Sequence, residues 1–398
     1  MTGENGFCRI PDAEFHTRIE ILKSKMQARQ IDLLVLYSNA LDPGHVRYFA
    51  DVIGINEAAA MVIPRQGDPI VCSGQASQAW SQYKSRIKDV RILPEVGEVA
   101  GTEYAVGDQS NFSTLFQELR QKYDIKKIGT AGTLIFPHII YAHLQKVFPH
   151  AEMVDAEPLI FELRVRKTAQ EIACMRKAAE ILDDSFWKAI GKIQEGWTEL
   201  DIMAEIDAGI LRGGAESTAV AWGTMIPSGP EHSNLCMNRN TPRKVRAGEI
   251  IDLQAGAVYE GYNAALCSPL VLGAIPEEIR RTVKAADEAM RATLRSIKPG
   301  ATSREVNEAG KSVLRRRGLD QHSPYAMVHN IGCLECEAPW MAENQDFKLL
   351  EGMTVCVDVF LFRLPWGSFR IENTVAITAQ GVDLLTKFND TYVPQHFA

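Results

Sequence analysis

The sequence predicts an α+β protein of two domains: a smaller α/β domain over residues 1–160 and a larger α+β domain over residues 161–398, where paired helices cover an antiparallel sheet. Three observations predict this. The chain has 398 residues, more than a single simple core supports. Strands and helices alternate through the first 160 residues, the pattern of a small α/β domain. Beyond them, long amphipathic helices are followed by strands with polar side chains at every second position, as an antiparallel sheet with one polar face requires.

Residues 12–30 open the chain as an amphipathic helix, with Phe15, Ile19, Leu22 and Met26 at helical spacing. Residues 31–37 supply a short apolar strand. Residues 58–63 and 68–72 read as a hairpin around Pro64-Arg65-Gln66-Gly67. Residues 113–122 and 137–147 read as helices, 128–132 and 151–155 as strands. The boundary falls near residues 157–167. Thr168 followed by Glu171 is a capping-box pattern, and the long helix it starts carries Ile172, Met175, Ala179 and Leu182 on one stripe. A second helix starts at Thr198, with Ile202, Ile206 and Ile210 facing the core. Residues 276–297 and 303–317 form two more, the latter ended by Gly318. Its last turn, Arg315-Arg316-Arg317, suits a helix C-terminus. Residues 250–269 read as strand, turn at Glu260-Gly261, and strand. In the strand over 354–361, Val355, Val357 and Val359 face one way and Cys356, Asp358 and Phe360 the other. The last strand, 369–377, carries Glu372. Gln254, Asp358 and Glu372 then share the polar face of one sheet.

Composition narrows the function classes. A net charge of −7 argues against nucleic acid or an anionic membrane as the main partner. The start, Met1-Thr-Gly-Glu-Asn-Gly6, lacks the basic and apolar regions of a signal peptide. No apolar run approaches the roughly 20 residues that span a bilayer. The eight cysteines are scattered, as expected for free thiols in a reducing cytoplasm.

Several landmarks, in order, resemble the pita-bread superfamily of creatinase, aminopeptidase P, prolidase and methionine aminopeptidase. They are the entry segment from Leu163 to Ile172, Ser228-Gly229-Pro230, Gly261-Tyr262, the run from His329 to Pro339, the run from Gly352 to Asp358, and Arg370-Ile371-Glu372. The resemblance covers nearly the whole chain. It implies a C-terminal pita-bread domain preceded by a creatinase-type N-terminal α/β domain. The metal-dependent members hold two cations with two aspartates, a histidine and two acidic residues. Carried over position by position, that set becomes Gln254, Ala265, His329, Asp358 and Glu372. A methyl group and a neutral amide replace the two aspartates, and hard cations prefer several anionic oxygens. The sequence therefore predicts no metal and no cofactor. Creatinase and ectoine hydrolase, superfamily members that lost the metal and cleave C–N bonds of small polar compounds, resemble this pattern. Creatinase has a substrate-side histidine where this chain has Cys236, a guanidinium-gripping glutamate at Cys267, and a second histidine at Cys336, so creatine is not the expected substrate.

Asp358 and Glu372 are the expected acid–base pair, because two carboxylates on one sheet face push their protonation apart. His329 is the expected proton shuttle. Cys236 is the expected nucleophile, activated by His329 or His232. Each cysteine also reads as a small buried hydrophobe, and thiolates with His329 as a rebuilt zinc site. Gln254, Cys267, Cys336 and His232 are expected to line the substrate. Glu57, in the N-domain loop, is expected to reach a cationic group across a homodimer interface, although a surface charge is the plainer reading. The expected function is metal-independent hydrolysis of a non-peptide C–N bond (amide, amidine or urea-like) in a small nitrogen-containing metabolite. Two other functions stand beside it: an Xaa-Pro peptidase or dipeptidase with an altered metal site, and a non-catalytic binding protein on the same scaffold.

Overall fold

In the computed structural model, which describes residues 9–54, 56–97, 110–218, 223–342 and 345–398, the chain divides into compact units at Arg164 and Val165. The mixed α+β architecture expected from the sequence is present, a helix-flanked sheet in each unit.

The first unit, Ile10–Arg164, is built on strands β1 (Leu33–Ser38), β2 (Ala59–Pro64), β3 (Ile70–Ser73), β4 (Asp89–Ile92), β5 (Lys127–Ala131) and β6 (Glu152–Asp155). They lie in the order β4-β3-β2-β1-β5-β6. Every residue of β1 is buried. A continuous apolar run of this kind suits a central strand covered on both faces. Helices α1 (Asp12–Ala28), α2 (Gly44–Ala50), α3 (Gln78–Lys84), α4 (Phe112–Lys122), α5 (His138–Val147) and α6 (Glu157–Arg164) surround it. Strand β4 and helices α2, α3 and α6 carry no period that the sequence reading detected. They are four to eight residues long, too short for periodicity to separate from loop.

In the second unit, α7 (Ala169–Ile190) begins at the predicted capping box: Thr168 Oγ1 accepts from the Glu171 backbone N–H, and Glu171 returns the bond. The same device starts α8 (Glu199–Arg212). Then come β7 (Ser217–Thr218), the short helix α9 (Gly229–Ser233), the paired strands β8 (Ile250–Tyr259) and β9 (Tyr262–Val271), and helices α10 (Glu277–Ser296) and α11 (Ser303–Arg316). Strands β10 (Val328–Asn330), β11 (Thr354–Leu364), β12 (Gly367–Thr378) and β13 (Gly381–Leu384) and helix α12 (Phe388–His396) complete it. The sheet runs β10-β11-β12-β9-β8-β7, with β13 paired to β12. Helix α12, with Pro394 inside it, was not legible in the sequence.

The register of this sheet positions the site. Glu260 and Gly261 both have positive φ, 48° and 81°, so β8 and β9 are joined by a two-residue turn of the kind that demands them. That turn pairs Tyr259 with Tyr262 and, counting back, Gln254 with Cys267. Cys267 lies opposite Glu372, Glu372 opposite Asp358, and Cys356 opposite His329. A slip of one residue would move every one of these side chains to the other face. On that other face, Asn389 of α12 bonds the Asn373 side chain and the backbone carbonyls of Cys267 and Glu372.

One carboxylate in the first unit ties its stability to acid. Glu157 accepts backbone N–H bonds from Gly132 and Thr133 at 2.6 and 2.8 Å and faces His45 at 3.4 Å. Burial alone would raise its pKa, but His45 and the two amides outweigh it and hold the group down to about 2, from 4.5. A depressed folded pKa gives stability that is full above pH 4.5 and lost as pH falls toward 2. The contribution is about 2 kcal/mol after allowing for partial exposure. Thermal unfolding followed by circular dichroism across that range will show a shallower acid loss for Glu157→Gln than for the parent.

Candidate active site

The polar face of the second sheet gathers Gln254, Asp358 and Glu372, as the strand alternation predicts, and the register brings Cys267 and His329 into the same hollow. His329 Nε2 lies 3.2 Å from Glu372 Oε1, and the Cys267 thiol donates to Glu372 Oε2 at 2.9 Å. His329 Nδ1 donates to the Asn330 carbonyl at 3.2 Å. With one ring nitrogen on a carbonyl and the other on a carboxylate, both are protonated. Burial works against that charge, but Glu335, Cys336 and Glu372 around the ring raise the His329 pKa well above its ordinary value.

The acidic pair divides its roles. For Glu372, burial is opposed by the His329 imidazole and the Cys267 thiol, and its pKa is lowered. For Asp358, burial wins over the attraction of Arg370, the Glu372 charge adds to it, and its pKa is raised. Glu372 is thus the ionised member and Asp358 the one that tends to hold a proton. Tyr325 donates to Asp358 Oδ2 at 2.8 Å, while the buried Asp358 Oδ1 has no partner among the described residues.

Four neighbours of this set went unassigned in the sequence. Arg370, 5% exposed, lies 4.3 Å over the Phe360 ring and reaches Gln254 Oε1 at 3.4 Å. Asp252 accepts from Gln254 Nε2 at 2.7 Å and from the Arg370 backbone N–H at 3.2 Å; burial pushes its pKa up to about 7. Cys356 sits beside Glu372, with its thiol raised by burial and by the Glu372 and Glu335 charges. Glu335 faces His329 Nε2 at 3.7 Å; burial, only partly offset by His329, pushes it up to about 8. Arg370, Asp252 and Cys356 stand two residues from Glu372, Gln254 and Asp358, so the period of two would have found them. Glu335 lies in an irregular loop and has no such signal. A narrow cleft is lined by Met225, Gln254, Ala265, Cys267, Glu335 and Glu372.

The remaining candidates are placed differently. Cys236 has positive φ (65°) and its sulfur lies 3.9 Å from Arg370 Nη2. Among the described residues neither His232 nor His329 hydrogen-bonds it. His232 instead bonds the buried Glu199 at 3.0 Å. Cys336 is exposed, while its thiol still acts on the His329 ring. Glu57 is buried, and its carboxylate accepts the backbone N–H groups of Ala76 and Ser77 within the first unit. It is neither a surface charge nor free to grip a ligand.

The residues do not fit a pair of cations. Ala265 offers a methyl group, the Gln254 amide is bonded to Asp252 and Arg370, and the Arg370 guanidinium itself brings a fixed positive charge into the hollow. Donors exist elsewhere, however. One ligand-capable atom each from His329, Glu335, Cys356 and Glu372 lies within 4.8 Å of all the others.

Comparison with known proteins agrees with the landmarks. Residues 173–379 match the description "Metallopeptidase family M24" and residues 18–166 "Creatinase/Prolidase N-terminal domain". The Xaa-Pro dipeptidase of Pyrococcus furiosus is 28% identical over 276 residues, 68% of this chain and 78% of that one. That of Pyrococcus horikoshii is 27% identical over 263 residues, 66% of this chain and 74% of that one. The crystal structure of a Pyrococcus horikoshii prolidase superposes with a TM-score of 0.80 at 22% identity, over 93% of this chain and 98% of that one, a likeness of fold. These findings overturn the expectation of a metal-independent, creatinase-like hydrolase of non-peptide C–N bonds. The similarity runs to Xaa-Pro dipeptidases within a metallopeptidase family. That expectation rested on the two lost aspartate positions and set the rebuilt zinc reading aside, whereas Glu335 and Cys356 add possible donors from other positions.

Glu199 stands at the start of α8. Wholly buried, it accepts from Ser228 N and Oγ, His232 Nδ1, and Thr241 N and Oγ1, fixing both ends of the loop that carries Cys236. Removing such an acceptor leaves several buried donors unpaired. Glu199→Ala is expected to cost about 3 kcal/mol in urea unfolding, and Glu199→Gln, which keeps one acceptor oxygen, less than that.

Proposed function

The chain belongs to metallopeptidase family M24, and we propose that it hydrolyses the amide bond of short peptides of the Xaa-Pro type, with a metal site altered from the family pattern. One juxtaposition supports this: His329 and Glu372, at positions the resemblance gives to metal ligands, meet at 3.2 Å in a chain similar to Xaa-Pro dipeptidases. In such chemistry a bound cation polarises the carbonyl and acidifies water.

The chain's own residues do the rest. Glu372, ionised beside His329 and Cys267, would hold the cation with one oxygen and take the proton of the attacking water with the other. Asp358, whose pKa burial raises, delivers a proton to the leaving nitrogen. Arg370 Nε, buried and without a partner among the described residues, offers a donor to the developing oxyanion or to the carboxylate of a dipeptide.

A panel of Xaa-Pro dipeptides, other dipeptides and amidines, assayed with zinc, manganese or cobalt supplied, tests this. Release of proline is expected, and Glu372→Gln should lower kcat/KM by roughly 10²–10⁴-fold. No peptide cleaved under any of the three metals would sink the proposal.

A further inference from the structure

We infer that the hollow binds a single zinc-class cation on His329, Glu335, Cys356 and Glu372, replacing the two lost aspartates with one carboxylate and one thiolate from positions the family pattern does not use. The site deepens the peptidase proposal and rests on it only for the hollow being the reaction centre.

Geometry comes first. The four donor atoms lie within 4.8 Å of one another, and His329 Nε2 is 3.2 Å from Glu372 and 3.7 Å from Glu335. Zinc bonds of about 2.0–2.3 Å imply tetrahedral ligand separations of about 3.3–3.8 Å. The set therefore needs only a small contraction of its longer edges, within reach of side-chain rotation.

Glu335 is the independent observation. It is 6% exposed, and its carboxylate has the His329 ring at 3.7 Å as its ion-pair neighbour. One of its oxygens also lies within 4.8 Å of the Cys356 and Glu372 donors, so a side chain that costs free energy to bury is aimed where a cation would repay it. The bond from His329 Nδ1 to the Asn330 carbonyl adds to this. It fixes the ring so that Nε2 faces the cluster, the arrangement typical of a ligating histidine.

The donor types choose the metal. One imidazole, one sulfur and two carboxylates suit zinc or a neighbouring late first-row ion, and not magnesium or calcium, which take oxygen. On binding, the Cys356 thiol and His329 Nε2 each release a proton to solvent, as does the Glu335 carboxyl where it is protonated, and no electrons move. A second cation has no carboxylate at Gln254 or Ala265 and would meet the Arg370 guanidinium.

The full chain, purified without chelator from zinc-supplemented cells, is measured for metal by mass spectrometry, then stripped and reloaded with cobalt(II). The expected result is about one cation per chain and a sulfur-to-cobalt charge-transfer band in the near ultraviolet. Cys356→Ser abolishes the band, Glu335→Gln weakens zinc binding at least tenfold, and Cys72→Ala, in the first unit, changes neither. Should the Cys356 variant fail to fold, zinc titration of the parent keeps the test alive, because a cation that binds only the native chain raises its Tm. Two cations per chain, no zinc binding, or a cobalt-loaded parent with no sulfur band overturns the site. Zinc binding without peptide cleavage strikes the function proposed above and leaves the site standing; proline release from a chain that binds no zinc does the reverse.

Discussion

Glu372 carries an ionised carboxylate into a buried sheet face, and the hollow is arranged around that charge. A carboxylate in such a place costs several kcal/mol unless it is paired and hydrogen-bonded. Here one oxygen faces an imidazole and the other accepts a thiol hydrogen. Once that charge is fixed, its neighbours have little freedom. His329 must keep its ring edge turned inward. Asp358, directly across the strand pair, cannot easily ionise beside it and is met by a phenol hydroxyl on one oxygen only. Arg370, on the same face and two residues away, balances the local field while its flat surface rests on Phe360.

That arrangement depends on strand register more than on any single contact. The two-residue turn at Glu260-Gly261 sets which residue of β8 meets which of β9, and β12 extends the row to Asp358 and on to β10. The shift of pairing near the far end of the β11–β12 hairpin, between Leu361 and Leu364, comes after the functional rows and leaves them aligned. The sheet is thus rigid where chemistry is expected, and the irregular segments carrying Cys236 and Glu335 bring side chains to its edge.

This division explains what could be read from the residues alone. Strand alternation placed Gln254, Asp358 and Glu372 on one face correctly, since a period of two leaves no choice of side. The long helices were legible from their stripes and from the Thr168 box, and the start read at Thr198 is a second such box. Helix α12 was not, because a short segment with an internal proline has no clear period. Loop residues resisted in the same way. Glu57 reads as a surface charge and is a buried helix-end acceptor; Cys336 drew attention while Glu335, one residue earlier, points at the histidine. The metal-independent reading was overturned by the similarity to Xaa-Pro dipeptidases; it left out of account both a loop residue, Glu335, and a strand residue, Cys356, two positions from Asp358.

Asn389 sits on the side of the sheet away from the hollow, yet its amide hydrogens bond the main-chain carbonyls of both Cys267 and Glu372. The two strands whose side chains carry the Cys267–Glu372 bond are therefore clamped together from behind by a residue of α12, nine positions before Ala398. Trimming α12 away would strip both carbonyls of their buried donor and let β9 and β12 drift apart beneath the site. The last helix thus acts as a backing plate, and damage to it would be felt by groups it never touches.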